Sequence, residues 1–343
     1  MKAEPGRITI QEIREQPEVL ARLLDAERGP VERLARRLRR RLPQAVILTA
    51  RGSSDNAALY GHYLVETLLG IPAGLASPSV VTLYGARPRV RGALVIGLSQ
   101  SGRSPDIVEY VATARASGAF TIAITNDGSS PLARRAHTTL LLHAGIERSV
   151  AATKTYTAQL VLLSLLVGSI AGDRRFIDRH HALPELVRTA LAQESAVTEV
   201  ARRYRKVERC IVTSRGYNFG TAKEAALKLK ETAYIAAEAL SSADLLHGPI
   251  AVVERRFPVI VIAPPGKVRA HLSSVIRRLS SRGAEPIVVS PGRSAVRMPK
   301  RIDERLTPHV YIVPLQLLAY HLALLRGFDP DRPRGLRKIT RVL

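Results

Sequence analysis

Short apolar runs closing in glycine or hydroxyl residues recur along the chain, separated by stretches whose apolar positions return every three or four residues. The first pattern predicts buried parallel strands and the second amphipathic helices. Residues 8–41 read as helical, through Ile10, Ile13, Val19, Leu20 and Leu23 and then a basic stretch that Pro43 ends. QAVILTARG (44–52) reads as a strand, 53–70 as a helix and 73–81 as a second strand. Strands follow at 92–102, 120–127 and 138–145, with helices at 103–118 and 153–170. A helical linker is expected over 174–205, with Pro184 near its middle. Alternating strands and helices predict an α/β fold, an open parallel sheet with helices on both faces.

The pattern then repeats. ERCIVTSRG (208–216) aligns with QAVILTARG at an offset of 164 residues, and RFPVIVIAPPG (256–266) aligns with GALVIGLSQSG (92–102) at the same offset. SRGAEPIVVS (281–290) aligns with SGAFTIAIT (117–125) at 165. A constant offset with matched glycines indicates duplication of one α/β unit. The copies differ where polar chemistry would sit: SQSGRS (99–104) in the first is APPGKV (263–268) in the second.

Composition narrows the class. The 343 residues suffice for two ordinary domains, and 46% are hydrophobic. The longest apolar run (159–172) is too short to span a bilayer alone, and the N-terminus lacks a signal-peptide core. One cysteine, Cys210, excludes an intramolecular disulfide and a cysteine-rich metal site. A cytoplasmic protein without metal or cofactor, and without a membrane, is the expectation. The net charge of +23 is almost all arginine, since only nine of the 52 basic residues are lysine. Basic runs such as 35–43 could contact phosphate backbones. No aromatic interleaving, helix-turn-helix pattern or zinc spacing accompanies them, so no nucleic-acid partner is expected.

Two sets of residues carry candidate chemistry. Ser53 and Ser54 follow one strand, and Ser99, Gln100, Ser101 and Ser104 follow another; each turn leads into a helix N-terminus. Ligands of open α/β sheets lie beyond the strand carboxyl ends, where free N–H groups and the helix dipole favour an anion. Hydroxyls there suit a phosphate held by neutral donors, although serine also caps helices. No Walker or GxGxxG motif indicates a nucleotide. The second set lies in TAKEAALKLKETA (221–233), where Glu224, Lys228 and Glu231 fall on one helical face. Such a stripe is either surface ion pairing or a site where neighbouring charge tunes proton transfer. His62, His143 and Cys210 read as packing or surface residues.

Several motifs in order resemble a known family. EIREQPEVL (12–20), ARGSSDNA (50–57), SQSGRS (99–104), AGIERSVAATKTYTAQL (144–160), RGYNFGTAKEAALKLKETAY (215–234), LLHGPIA (245–251), VPLQLLAYHLAL (313–324) and DPDRPRGLRK (329–338) resemble the isomerase half of glucosamine-6-phosphate synthase. That family is built of two sugar-isomerase (SIS) domains and includes stand-alone deaminases. The resemblance implies two tandem doubly wound SIS domains, each a parallel sheet flanked by helices. The expected layout is a helical lead-in over 1–43, a first domain over 44–173 with the phosphate cradle, and a linker over 174–205. A second domain over 206–328 would carry the catalytic helix and histidine loop, and a tail over 329–343 an active-site lysine.

By the same resemblance, Ser53, Ser54, Ser99, Gln100, Ser101 and Ser104 form the sugar-phosphate cradle. Val150 and Ala151 make backbone contacts to the sugar. Glu231 moves a proton between C1 and C2, and His247, supplied across a dimer interface, opens the ring. Lys338 meets the open-chain carbonyl as an imine, and Lys228 and Glu224 support Glu231. The residue types suit these tasks: histidine transfers protons near neutrality, one carboxylate can serve two carbons, and an amine attacks carbonyls. Three departures stand out. Arg51 and Arg103 replace a cysteine and a glutamate of the synthase, the latter placing a cation at the phosphate turn. Ala152 replaces a sugar-facing serine. The synthase's glutaminase domain has no counterpart in this sequence, so glutamine is not the ammonia source expected within it. The expected reaction is therefore isomerising deamination of glucosamine 6-phosphate to fructose 6-phosphate and ammonia, by a homodimer with shared sites. Synthesis from ammonia or with a partner glutaminase, cleavage of a fructosamine 6-phosphate, deamination of galactosamine 6-phosphate, and sugar-phosphate sensing without catalysis are the alternatives.

Overall fold

A computed structural model describes residues 4–292 and 294–338. Two five-stranded sheets, both wholly parallel, organise the chain. The first contains β1 (Val46–Thr49), β2 (Ala73–Leu75), β3 (Leu94–Leu98), β4 (Phe120–Thr125) and β5 (Thr138–Leu141), ordered 2-1-3-4-5. The second contains β6 (Arg209–Ser214), β7 (Ala236–Ser241), β8 (Pro258–Ile262), β9 (Glu285–Ser290) and β10 (Val296–Arg297), ordered 7-6-8-9-10. The two orders are the same, and β3 and β8 start 164 residues apart, as the repeat predicts. Every residue of β3 is buried, as in a parallel strand covered on both faces.

The described chain divides into two compact units that do not follow the chain in simple succession. The first-sheet unit comprises residues 18–147 and 154–181 together with 337 and 338; the second-sheet unit comprises those up to 17, 148–153 and 182–336. The expected lead-in over 1–43 is thus split: its part up to residue 17 and the 148–153 segment belong with the second sheet, and residues 18–43 and Lys338 with the first.

Every predicted strand of the first sheet is shorter than its apolar run. The 73–81 run forms a strand only to Leu75, because Pro78 starts a short helix, Ser79–Thr82. The 138–145 run leaves the sheet after Leu141, and no regular structure follows until the helix Lys154–Ala171. That helix is buried from Lys154 to Ile170. With Glu304–Leu325 it is long and apolar enough to cross a membrane, yet the two windows are 94% and 78% buried within the fold, as core helices are. In the first-sheet unit it packs on the helix Ser53–Leu69 across Gly61. A Cβ at Gly61 would lie 2.9 Å from Leu48 and 3.1 Å from Leu163. Gly61→Val should therefore overpack this contact and lower stability by about 1–3 kcal/mol, read as a lower urea midpoint with the m-value unchanged.

Candidate functional site

In the first-sheet unit, the turns after β1 and β3 bring the predicted hydroxyls to the carboxyl edge of the sheet. Gly52 (φ 56°) begins the helix Ser53–Leu69, so neither Ser53 nor Ser54 occupies its cap position. Ser54 is buried, and its Oγ accepts a hydrogen bond from Gln159 Nε2 at 2.9 Å. In the second turn, Ser99 Oγ accepts from Gly102 N at 3.1 Å and lies 3.3 Å from Ser104 Oγ. Ser101 Oγ accepts from Arg103 N at 3.3 Å. Ser104 caps the helix Pro105–Ala116 by position, but its side chain makes no capping bond. No side chain therefore caps either helix from its cap residue. Gly102 is required by the turn: its φ is +61°, and an added Cβ would sit 2.5 Å from Ser130 Cβ.

Two ion pairs fix the turns. Arg51 Nε meets Asp106 Oδ2 at 2.6 Å, tying the turn after β1 to the first turn of the helix after β3. Arg103, expected to bring a cation to the phosphate turn, is instead held by Asp127 at 3.0 Å. Hydrogen bonds from Ser129, and then Arg103, hold the Asp127 carboxyl below its ordinary range. Both guanidinium groups at these turns are therefore paired with carboxylates.

A cavity of about 470 Å³ opens over β3, β4 and β5, with Gln100, Ser101, Arg103, His143 and Glu147 in its wall. His143, read from the sequence as a packing or surface residue, takes a left-handed backbone (φ 48°), and its Nε2 meets Glu27 at 2.8 Å. Glu147 is fully buried at its side chain and lies 2.6 Å from Lys338 Nζ. The same carboxylate group accepts from Thr155 N and Oγ1, at the start of the long buried helix. One unit therefore gathers the hydroxyl turns, the cavity and the Lys338 amine.

The second-sheet unit holds the charged stripe on the helix Phe219–Ala233. Lys228 Nζ lies 3.4 Å from Glu224 and 2.5 Å from Glu231. Glu224 and Lys228 are buried, whereas 23% of the Glu231 side chain is exposed. This excludes the surface-pairing reading: a buried ammonium and a buried carboxylate neutralise each other and present one accessible carboxylate. His247 ends the short helix Ser242–Leu246, whose start is pinned by Ser242 Oγ to His271 Nε2 at 2.9 Å. The His247 side chain is exposed, and no hydrogen bond among the described residues joins it to Glu231. Val150 and Ala151 lie in the irregular segment before Lys154, and Ala151 is buried.

The turn after β8 shows why the copies differ. Gly266 stands where the first copy has Gly102, also with positive φ (+115°), but there the protein's own Glu304 fills the space. Lys267 N donates to Glu304 Oε2 at 2.6 Å, so a carboxylate already occupies the anion position of the second copy. Among the described residues no cluster of three His, Cys, Asp or Glu could hold a metal ion. Cys210 is inert, its thiol pushed up to about 12 by burial.

A family model described as the SIS domain matches residues 43–169 and again 203–326. The chain belongs to the SIS domain family. It is 40% identical over 311 residues to the glutamine–fructose-6-phosphate aminotransferase (isomerizing) of Pyrococcus horikoshii, covering 87% of this chain and 52% of that protein. The chain thus spans about half the length of that relative, and is homologous to its C-terminal isomerase half. A crystal structure from Silicibacter pomeroyi, inferred by its description to be a phosphosugar isomerase, is 38% identical with a TM-score of 0.87, covering 94% of this chain and 99% of that one. The C-terminal domain of the Francisella tularensis glucosamine-fructose-6-phosphate aminotransferase is 26% identical with a TM-score of 0.86, covering 97% and 100%. A glucosamine-6-phosphate deaminase from Thermotoga maritima, 23% identical with a TM-score of 0.80 and covering 98% and 100%, shares the fold.

Within this SIS protein, two acids that hold these turns and the cavity wall lie outside the predicted set: Asp106 and Glu147. Asp106 directly follows the Ser-Pro helix start, and Glu147 precedes the predicted sugar segment; a lone acid in either context was the available signal. The buried triad makes a stability prediction. Lys228→Met removes the ammonium that Glu224 faces, and should lower the unfolding free energy by about 3–5 kcal/mol. Glu231→Gln, at the exposed end, should cost less than half of that in the same urea titrations.

Proposed function

We propose that this chain is a sugar-phosphate isomerase that moves a proton between C1 and C2 of a hexose or hexosamine 6-phosphate, in the amino-transfer chemistry its relatives are named for. The observation that carries this reading is Glu231, a single accessible carboxylate held at 2.5 Å by a buried lysine. Aldose–ketose exchange needs one such base, fixed in place and reaching two adjacent carbons. The hydroxyl turns at the carboxyl edge of the first sheet would take the 6-phosphate.

In the direction of amino transfer, ammonia condenses with the C2 carbonyl of fructose 6-phosphate and water leaves. Glu231 then takes a proton from C1 and returns it to C2. The C1 hydroxyl becomes the aldehyde and C2 keeps the amine, which is open-chain glucosamine 6-phosphate. His247 would open and close the ring, in a homodimer where it serves the neighbouring subunit. Where Lys338 first holds the C2 carbonyl as an imine, water would leave at that step, and ammonia would then add to the imine and expel the Lys338 amine. Glu147, at 2.6 Å, is placed to take the proton this amine loses before attack. Glu224 and Lys228 would keep Glu231 in position.

The deaminase direction expected from the sequence uses the same base in reverse. It has less support: the relative at 40% identity carries the aminotransferase name, whereas the deaminase at 23% speaks to the fold alone. Purified protein should exchange deuterium from solvent into fructose 6-phosphate, whatever the nitrogen source. It should also form glucosamine 6-phosphate when ammonia or a glutaminase partner is supplied. Glu231→Gln should lose at least 100-fold in exchange while still binding the sugar phosphate. Absence of exchange and turnover on every hexose and hexosamine 6-phosphate tried would overturn the reading. Faster release of ammonia from glucosamine 6-phosphate than the reverse would favour the deaminase.

A further inference from the structure

The segment 148–153 has no regular structure, yet Ser149, Ala151 and Thr153 are buried. A buried irregular segment must find partners for its backbone groups elsewhere. Here they come from the lead-in, within the second-sheet unit. Glu12, 3% exposed, accepts from Arg148 N at 2.5 Å and from Ser149 N at 3.1 Å. Thr9 Oγ1, equally buried, lies 2.9 Å from Ser149 Oγ. At the other end of the segment, Gln316 Nε2 donates to Thr153 O at 3.4 Å, and Gln316 Oε1 in turn accepts from Gln16 Nε2 at 2.8 Å. Glu12 and Gln16, one helical turn apart in the EIREQP motif, thus grip both ends of the segment that carries Val150 and Ala151.

The grip is itself tied down. The helix Arg7–Arg14 has glycine at its N-cap, no side-chain cap of its own and no acidic residue in its first turn. Its N–H groups are met from more than 320 residues away: Asp331 accepts from Ile8 N at 2.9 Å and Thr9 N at 2.7 Å, and Asp329 from Gly6 N at 2.9 Å. Asp331 Oδ1 also accepts from Thr9 Oγ1 at 2.7 Å. Thr9 therefore joins the DPD sequence near the C-terminus to the segment at Ser149.

We propose that Thr9, Glu12 and Gln16 are positioning residues for sugar binding, fixing the buried segment whose Val150 and Ala151 backbone would meet the sugar, with Asp331 fixing the clamp from the tail. The proposal rests on the sugar-phosphate reading above. None of these residues need touch the substrate, so their loss should weaken ground-state binding more than it slows the chemical step.

Fructose 6-phosphate binding by calorimetry, steady-state kinetics and peptide hydrogen exchange test this on the full chain. Glu12→Gln and the milder Thr9→Val should weaken fructose 6-phosphate binding at least tenfold and raise KM in proportion, with kcat within about threefold of the parent. Exchange over 146–155 should quicken at least tenfold while the β3 and β8 peptides keep their protection. Thr9→Ser, which keeps the hydroxyl, should restore binding. Parent protein that binds no hexose 6-phosphate would sink the functional reading itself. Parent protein that binds, alongside folded Glu12→Gln and Thr9→Val proteins that bind within twofold of it, would overturn the clamp, whether or not exchange over 146–155 had changed.

Discussion

Both sheets are parallel with buried central strands, and that burial decides where polar chemistry can lie. Strands such as Leu94–Leu98 have no room for a polar side chain along their length. Hydroxyls, amides and charges collect instead at the carboxyl ends, where chain direction turns and helix N-termini point back. The turns after β1 and β3 follow this constraint, as does the cavity over β3, β4 and β5. The helix carrying Glu231 begins just beyond the carboxyl end of β6. Where a charge must lie inside, it is paired: Lys228 between Glu224 and Glu231, Glu147 with Lys338, and Asp106 with Arg51.

Duplication gave each sheet the same strand order and the same glycine turn, and the copies then settled the anion position differently. In the first, Gly102 leaves a turn edged by hydroxyls; in the second, Gly266 makes room for the Glu304 carboxylate. A helix N-terminus closed by the protein's own carboxylate has no use for hydroxyls, which fits the change from SQSGRS to APPGKV. The second unit could therefore give up ligand capture at this turn and specialise in the charged helix.

Much of the fold was legible because strands announce themselves locally. The runs at 92–102 and 256–266 predict β3 and β8, and the constant offset predicts a shared order. Boundaries slipped where one residue overrode the pattern, as Pro78 does at the end of β2. The hydroxyls were legible, but that Ser104 makes no capping bond was not, since position alone cannot show where a hydroxyl points. The charged stripe was ambiguous for the same reason: i, i+4 and i+7 spacing is identical on a wet face and in a core. The lead-in was the least legible. Glu12 and Gln16 look like ordinary polar positions of an amphipathic helix, and their partners at 148–149 and 316 lie more than a hundred residues away.

The arginine excess sharpens the question of how an anionic substrate would be held. A chain with net charge +23 has no shortage of cations for a phosphate. Yet the two arginines flanking the hydroxyl turns are each consumed by an aspartate, Arg51 by Asp106 and Arg103 by Asp127. Neutral donors and helix dipoles remain at the turns, and under the proposed reading they would bind a phosphate by geometry more than by charge. The diffuse positive field acts at longer range, raising the local concentration of anions and their rate of encounter. Under the proposed reading, attraction and grip would thus be separated: the field would favour arrival of any phosphate, while the turns would select one by shape. A bidentate arginine at the turn would merge the two and slow release of product that carries the same phosphate as the substrate. Under the proposed reading, in which substrate and product share their phosphate, that separation would be the more serviceable arrangement.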